Sequence, residues 1–153
     1  MKKKIILVGG AGYIGTVLTG HLLNEGYKVK CIDNLIYEQD DCLSSFFKNK
    51  NYEFINIDIR QKNLLVEHFD VDCSVVLLAG LVGDPISKKY PQINDEINLS
   101  GILNIIEICK EKNIEKLIFT STCSNYGITE NNIKAKEDHN LNPLSLYASA
   151  KVQ

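Results

Sequence analysis

The chain has 153 residues, which is enough for one domain with a sizeable core. Hydrophobic residues make up 44% and charged residues 24%, the ordinary range for a globular protein, and the formal net charge of -2 gives no electrostatic reason to expect nucleic acid or an anionic membrane as a partner. No stretch approaches the roughly 18 apolar residues of a membrane span, and the apolar run from Ile5 to Val8 is too short for a signal peptide.

The cysteines and histidines predict a reduced protein without a metal. The cysteines are odd in number, widely spaced and without a CxxC pair, so we expect free thiols in the cytoplasm. The histidines are isolated from one another, which argues against a metal site. The residues concerned are Cys31, Cys42, Cys73, Cys109 and Cys123, and His21, His68 and His139.

Short apolar runs alternate with helical patterns along the whole chain. Strands are predicted at residues 4–8, 28–33, 53–57, 73–79 and 116–121. Helices are predicted at 12–25, just after 40–41, at 61–69, at 91–112 and from about 144, with a polar loop at 129–142. Strict alternation of this kind predicts an α/β protein with a doubly wound parallel sheet, the Rossmann arrangement, as one domain over 1–153. Ligands of such sheets bind at the carboxyl ends of the strands.

Two predicted helices carry an apolar face. On the first, the periodicity places Ile14, Val17, Leu18, His21 and Leu22 on the buried side. On the long helix at 91–112, the apolar stripe consists of Ile93, Ile97, Gly101, Leu103, Ile105, Ile106 and Ile108. After residues 40–41, a short helix is expected to bury Leu43, Phe46 and Phe47.

A glycine-rich segment follows the first strand and opens the first helix. Glycines at positions 9, 12 and 15 allow a tight turn, a close backbone approach to a pyrophosphate and close packing of helix against strand. The free N–H groups at the start of the helix favour an anion. We therefore assign Gly9, Gly12, Tyr13, Ile14 and Gly15 to a dinucleotide site.

Asp33 ends the second strand, 18 positions after Gly15, close to the offset expected for an acid that binds the adenosine ribose. A carboxylate accepts a hydrogen bond from a ribose 2′-hydroxyl and repels a 2′-phosphate. No lysine or arginine follows before Lys48, so NAD is favoured over NADP. The adjacent Asn34 is assigned to the same part of the site.

The spacing of Gly9, Gly12 and Gly15 resembles that of the short-chain dehydrogenase/reductase family, and motifs along the rest of the chain strengthen the resemblance. They include Asp58-Ile59 after strand three, which resembles the adenine-binding pair of the family, and residues 119–127, which resemble the Ser/Thr-bearing stretch of UDP-galactose 4-epimerases and their relatives. The resemblance adds Asp58, Ile59, Leu78, Ala79, Gly80 and Asn98 to the predicted cofactor-binding residues.

Tyr147 and Lys151 match the YxxxK motif of the same family. On a helix, residues four apart share a face, so the phenol and the ammonium are expected to lie side by side. A free tyrosine has a pKa near 10, and a nearby cation favours the phenolate that a base requires. The resemblance implies that Tyr147 is the acid/base, that Lys151 supports it and binds the cofactor with it, and that Thr122 donates a hydrogen bond to the reacting oxygen.

The two residues after Thr122 narrow the reaction. In this family, dehydratases carry an acidic pair there and decarboxylases carry a glutamate at the second position, whereas this chain has Cys123 and Ser124. If the segment is an extended strand, Cys123 points away from the site and packs in the interior. The remaining residues, Thr122, Tyr147 and Lys151, suffice for hydride transfer at a carbinol carbon.

The resemblance implies an NAD-dependent nucleotide-sugar 4-epimerase, or an oxidoreductase acting at C4 of such a sugar. An NAD-binding regulator on the same fold, or a short-chain reductase of a non-nucleotide alcohol or ketone, stays open as an alternative. Relatives of this kind continue into a C-terminal substrate-binding region, so we expect a domain that is incomplete at Gln153, inactive alone, and part of a homodimer formed through the 91–112 helix and the helix from about 144.

Overall fold

The structure, a computed structural model, describes residues 3–82, 84–129 and 134–153. These residues form two compact units. The sheet unit comprises Met1–Gly80 and Gly101–Thr120, and the helical unit comprises Leu81–Ser100 and Ser121–Gln153. Within the described ranges, no helix is long and apolar enough to cross a membrane, and no group of His, Cys, Asp and Glu side chains could hold a metal ion.

The sheet unit contains five parallel strands in the order β3-β2-β1-β4-β5. Their bounds are β1 Lys4–Val8, β2 Lys28–Asp33, β3 Tyr52–Asn56, β4 Cys73–Leu77 and β5 Lys116–Phe119. The chain builds outward from β1 to β3 on one side and then returns to place β4 on the other side of β1. The strand order therefore reverses at β1, and the predicted doubly wound sheet is confirmed.

The helices of the sheet unit are α1 (Tyr13–Asn24), α2 (Lys62–Leu65) and α5 (Ile102–Glu111), with 3₁₀ turns at Asp40–Leu43 and Val66–His68. The core lies around β1, where Ile6, Leu7 and Val8 are fully buried. Beside it, Leu7, Leu23 and Val29 form one buried cluster. The short helix predicted after residues 40–41 is a 3₁₀ turn that buries Leu43 but leaves Phe47 exposed.

The face of α1 that packs on the sheet agrees only in part with the predicted one, since Leu18 and Leu22 pack against the buried cluster but Ile14 and Val17 do not. Its buried residues are Gly15, Thr19 and Leu23, whereas Ile14 and Val17 are 55% and 56% exposed. A Cβ on Gly15 would lie 2.6 Å from the Cα of Gly10. The close contact between the backbones of Gly15 and Gly10 turns the Gly15 side of α1 towards the preceding loop. This contact, and not the hydrophobicity of the side chains, therefore determines how α1 is rotated about its axis.

The helical unit contains α3 (Asp84–Lys89), α4 (Pro91–Asp95) and α6 (Leu146–Val152), and a 3₁₀ turn at Cys123–Tyr126. The long helix predicted at 91–112 is interrupted by a π-helical segment at Glu96–Gly101, between α4 and α5. Along its stripe Ile97, Ile105 and Ile108 are buried, whereas Ile93 is partly exposed. The predicted loop at 129–142 has no helix or strand where it is described, and residues 130–133 lie outside the described residues.

Candidate functional site

The glycine-rich turn after β1 requires glycine at its first position. Gly9 has a φ of +82°, and a Cβ there would lie 2.6 Å from the Cα of Ala79. Its N–H donates to the carbonyl of Ile32 at 2.8 Å. A side chain at Gly9 would therefore separate the carboxyl ends of β1 and β4, which this turn holds together.

Gly12 differs from Gly9 and Gly15, because the protein itself does not need a glycine there. A Cβ on Gly12 would meet only the carbonyl oxygen of Gly9, at an ordinary 3.5 Å. Gly12 is the N-cap of α1 and has no side chain to cap it, so the N–H groups of the first turn keep their capacity to donate. The missing side chain thus leaves open the positive end of a helix, which suits the close approach of a pyrophosphate.

Asp33 lies directly beside this turn, at the carboxyl end of β2. One carboxylate oxygen accepts the N–H of Ala11 at 3.0 Å, and the other accepts the N–H of Leu35 at 2.9 Å. Two main-chain donors therefore fix the orientation of the carboxylate. Each oxygen retains a lone pair, and the carboxylate can still accept a hydrogen bond from a ribose hydroxyl.

Asp58, after β3, is joined to Asn34 and Arg60. The Asn34 amide donates to its carboxylate at 2.8 Å, and the Arg60 guanidinium donates to both of its oxygens. Partial burial works to raise the pKa of Asp58, but the hydrogen bonds from Arg60 and Asn34 outweigh it and hold the pKa below its ordinary value. Asp58 is therefore an anion over the physiological pH range.

The segment after β4 meets the end of β1. The N–H groups of Leu78 and Ala79 both donate to the carbonyl of Val8, each at 2.8 Å. Ile59, after β3, is buried, and its carbonyl accepts the side-chain amide of Asn104 at 3.0 Å. The predicted cofactor-binding residues of the sheet unit thus gather at the carboxyl ends of β1 to β4, with Tyr13 and Ile14 exposed at the start of α1.

In the helical unit, Thr122 caps a 3₁₀ turn and does not lie in an extended strand. Its hydroxyl oxygen accepts the N–H of Ser124 at 3.2 Å. The predicted packing of Cys123 in the interior is wrong, since Cys123 is exposed. The strand argument fails because the chain turns immediately after Thr122, and alternation of side chains no longer applies.

The turn at Cys123–Tyr126 is fixed by residues that the sequence analysis did not single out. Asn125 is buried, and its amide donates to the hydroxyl of Ser121 at 2.9 Å. Its main-chain carbonyl accepts the N–H of Asn142 at 2.8 Å. Gly127 has a φ of +65°, and a Cβ there would collide with the carbonyl of Asn142. The glycine that follows an aromatic residue in this stretch was the available sequence signal for the turn.

Helix α6 carries the predicted Tyr147 and Lys151. Its N-cap is Ser145, whose hydroxyl accepts the N–H of Ala148 at 3.2 Å. The Lys151 ammonium lies 5.8 Å from the centre of the Tyr147 ring. Burial raises the pKa of Tyr147 and lowers the pKa of Lys151 to about 8. At neutral pH the pair is therefore mainly a phenol beside an ammonium, and burial opposes the shift towards phenolate that the motif predicts for Tyr147.

Asn98 lies in the π-helical segment and is fully buried. Its side-chain carbonyl accepts the N–H of Leu81 at 2.7 Å, and its amide donates to the carbonyl of Leu81 at 2.9 Å and to Asn94 at 2.8 Å. Both amide hydrogens are thus engaged within the helical unit. This geometry gives Asn98 a structural task, namely holding the chain just after the predicted Leu78-Ala79-Gly80 segment.

The structure therefore groups the predicted residues into two sets. The sheet unit holds the glycine-rich turn, Asp33, Asn34, Asp58, Ile59 and the segment 78–80. The helical unit holds Thr122, Asn98, Tyr147 and Lys151, and within it the 3₁₀ turn after Thr122 lies against α6.

Three features together are typical of a class of dinucleotide-binding enzymes. They are a parallel sheet with this strand order, a glycine-rich first turn and a helix with the Tyr-x-x-x-Lys motif. The chain belongs to the NAD dependent epimerase/dehydratase family, which matches residues 5–153. The family resemblance predicted from the motifs is therefore confirmed.

Relatives and solved structures agree with this assignment. The chain is 32% identical to a putative UDP-glucose 4-epimerase of Methanocaldococcus jannaschii over 96% of its own length and 47% of that protein. It is similar to the structure of the UDP-glucose 4-epimerase of Thermus thermophilus in complex with NAD, with 30% identity, a TM-score of 0.85, and coverage of 97% of this chain and 47% of that one.

A second solved structure of similar closeness is the UDP-N-acetylglucosamine 4-epimerase from Methanobrevibacter ruminantium M1 in complex with UDP-N-acetylmuramic acid. The identity is 31%, the TM-score is 0.87, and the match covers 99% of this chain and 48% of that one. The chain thus spans about half the length of the relatives that it matches.

Proposed function

We propose that the chain supplies the NAD-binding residues and the Thr-Tyr-Lys set of a nucleotide-sugar 4-epimerase. The observation that carries the proposal is Gly12, where the protein has no steric need for a glycine and the start of α1 is left open beside the carboxylate of Asp33. An opening of this kind fits a pyrophosphate, and the carboxylate fits an unphosphorylated adenosine ribose.

When bound, NAD would accept a hydride from the sugar carbon and return it. Tyr147 would take and give back the proton of the sugar hydroxyl as general base and acid. The Thr122 hydroxyl oxygen already accepts the N–H of Ser124, which leaves its hydrogen to be donated to the same sugar oxygen. Lys151 would hold a positive charge beside the phenol and favour its ionised form.

The neighbours of Thr122 support epimerisation or simple oxidation at C4 over elimination. Cys123 and Ser124 are not acidic, so the chain has no carboxylate there for the additional proton transfers that elimination of water requires. The names of the relatives favour 4-epimerisation of a UDP sugar. Simple oxidation or reduction at C4 would use the same three residues.

Titration calorimetry with NAD and NADP tests the cofactor assignment. The protein is expected to bind NAD more tightly than NADP, because Asp33 repels a 2′-phosphate. Replacing Asp33 by Ala should relax the preference. An exposed acid of the same unit, changed as Asp41→Ala, serves as the control and should leave the preference unchanged. Tighter binding of NADP by the unaltered protein would contradict the proposal.

A cytoplasmic location and a homodimer formed through the 91–112 region and α6 remain part of the proposal. The exposed parts of Ile93 and Leu146 are the surface that supports such a dimer. Sedimentation velocity of the protein with Ile93→Glu and Leu146→Glu tests it. We expect the altered protein to be monomeric, and an unchanged sedimentation coefficient would count against this interface.

A further inference from the structure

Gly10 differs from the other glycines of the glycine-rich turn because its nearest obstacle is a side chain. A Cβ on Gly10 would lie 2.6 Å from the Sγ atom of Cys31, and 3.1 Å from both the Cβ and the carbonyl oxygen of Leu7. Unlike Gly9, Gly10 does not have a positive φ, so other residues could adopt its backbone conformation. Position 10 therefore requires glycine for reasons of space, and the sulfur of Cys31 fills that space.

Cys31 is held firmly in its place behind the turn. It is fully buried in β2, which lies between β1 and β3. Its side chain belongs to a buried cluster with Ala11 and Leu43. In a close-packed interior, any other position of the sulfur would require these neighbours to move. Burial also raises the pKa of the thiol to about 12, so the sulfur is uncharged. Gly10 thus has a fixed and uncharged neighbour.

The turn is held against β2 at three successive residues. The contacts join Gly9 to Ile32, Gly10 to Cys31 and Ala11 to Asp33. The first and third are hydrogen bonds, and the second is the contact with the sulfur. Cys31 and Asp33 are two positions apart on the strand, so their side chains lie on the same face. The sulfur therefore sets the separation of the turn from β2 next to the carboxylate that would bind the ribose.

Gly10 also contacts the first helix. A Cβ on Gly15 of α1 would lie 2.6 Å from the Cα of Gly10. The backbone of Gly10 is therefore packed against both Cys31 and the first turn of α1, and a side chain at position 10 could gain space only by displacing one of them. A displacement of α1 would move the N–H groups that would meet the pyrophosphate.

We propose that Cys31 is a positioning residue of the dinucleotide site, whose sulfur requires glycine at position 10 and sets the distance of the glycine-rich turn from β2. This inference rests on the proposed function, since it concerns the cofactor of the same site. Cys31 acts through Gly10 and not by contact with the cofactor. The sizes of residues 10 and 31 are then coupled, so that a larger residue at position 10 needs a smaller one at position 31.

Calorimetric titration with NAD tests this coupling in single and double variants. Gly10→Ala should lower the affinity about tenfold, because overpacking displaces the turn. Cys31→Ala should lower it by no more than about threefold, since the hydrogen bonds of Gly9 and Ala11 still hold the turn. The double variant should bind NAD about as well as Cys31→Ala, because the new methyl group takes the space of the sulfur and meets only the milder contacts with Leu7.

Two controls make the recovery specific. Gly10→Ala combined with Cys73→Ala, which alters a buried cysteine at the start of β4, should bind as weakly as Gly10→Ala. Gly12→Ala should also weaken binding, because its methyl group would occupy the opening for the pyrophosphate, but adding Cys31→Ala should not restore it. A loss of stability alone would reduce the number of NAD sites per chain in the titration, whereas a displaced turn lowers the affinity of each site.

The N–H of Ala11 gives a second measurement that needs no cofactor. Because it donates to Asp33, its protection from hydrogen exchange should fall in Gly10→Ala and return in the double variant. If Gly10→Ala does not fold, the double variant and Cys31→Ala decide the question. Normal NAD binding by Gly10→Ala, or a double variant that binds tenfold more weakly than Cys31→Ala or does not fold, would overturn the inference alone. Failure of the unaltered protein to bind NAD would overturn the proposed function and this inference together.

Discussion

Lys151 is a buried cation whose position lowers the stability of the folded chain. It is only 8% exposed, and burial lowers its pKa to about 8, whereas an unfolded lysine titrates near 10.4. Between these two values the unfolded state binds more protons than the folded state, so the free energy of unfolding rises with pH. Below about pH 8 the penalty is fully present. A stability cost of this kind is common where a residue is placed for chemistry.

Replacing Lys151 by Met should therefore stabilise the chain at pH 7, by an amount on the order of 3 kcal/mol. It should also remove this rise in stability between about pH 8 and 10. Urea unfolding at pH 7 and at pH 9.5 measures both effects. The exposed lysine of the same unit, changed as Lys136→Met, is the control and should leave the pH dependence in place. A Lys151→Met protein with unchanged pH dependence would disprove the burial argument.

Tyr147 is the residue on which the proposed chemistry depends most. In a form of the protein that turns over a nucleotide sugar, Tyr147→Phe should reduce hydride transfer by about 10²-fold or more, because it removes the general acid/base and little else. NAD affinity should stay within about twofold. The half-exposed Tyr90→Phe in the same unit is the matched control. Cofactor reduction with a panel of nucleotide sugars is the assay, and full activity of Tyr147→Phe would refute the mechanism.

Thr122 allows a separate test of the hydrogen bond to the sugar oxygen. Thr122→Val keeps the shape of the side chain but removes the hydroxyl, so turnover in the same catalytically active form should fall by about 10²-fold. Thr122→Ser retains the hydroxyl and should recover most of the activity. If Thr122→Val and Thr122→Ser turn over equally, the hydroxyl does not act in the transition state.

At the scale of elements, the π-helical segment and the chain after β4 are joined through one side chain. Asn98→Leu has nearly the same shape, but it leaves the N–H and the carbonyl of Leu81 without their partner in a buried place. We expect a loss of about 3 kcal/mol in the free energy of unfolding, measured by urea denaturation. Asn104→Leu, which removes a single hydrogen bond to Ile59, should cost about 1 kcal/mol. Equal losses in the two variants would contradict the structural role of Asn98.

The sequence predicts strands better than it predicts helix faces and turns. Apolar runs such as those of β1 and β4 lie in the middle of a parallel sheet that is covered on both faces, so composition alone identifies them. The buried face of α1 depends on the contact of Gly15 with Gly10, which hydrophobic periodicity does not contain. The π-helical segment depends likewise on the distant partner Leu81 of Asn98.

The candidate site shows the same division. The glycine-rich turn and Asp33 were predictable because their function fixes both residue type and spacing. The interior position predicted for Cys123 is wrong because that prediction depends on an extended strand. The turn that exposes Cys123 depends on two contacts. The Thr122 cap is local but forms only when the chain turns there, and the approach of Asn142 to Gly127 joins residues that are distant in sequence. The motif likewise does not predict the hydrogen bonds from Arg60 to Asp58, although the two residues are only two positions apart.

At the scale of the whole molecule, most of the predicted cofactor-binding residues and the predicted catalytic residues lie in different compact units of the chain. The sheet unit supplies the predicted NAD contacts, and its core is built around the fully buried Ile6, Leu7 and Val8 of β1. The helical unit supplies Thr122, Tyr147 and Lys151. The relatives are about twice as long as the chain, and the residues that hold a sugar nucleotide in them are not identified by any motif in these 153 residues.

The 153-residue chain should therefore bind NAD but show no turnover of nucleotide sugars. Helix α6 has only seven residues, fewer than the roughly 12 at which isolated helices become marginally stable in water. Its predicted catalytic side chains thus depend on contacts beyond the helix itself for the accurate placement that catalysis requires. We would assay the chain against UDP, GDP, dTDP and CDP sugars, with a full-length relative as the positive control and NAD calorimetry on the same sample to show that it is folded. Hydrogen exchange should give weaker protection at Ser149 and Gln153, whose N–H groups close the first and the last turn of α6, than at Ile6, Leu7 and Val8 of β1, because these strand residues are fully buried. Turnover by the chain alone, or protection of α6 equal to that of β1, would show that these residues are already held in a working geometry.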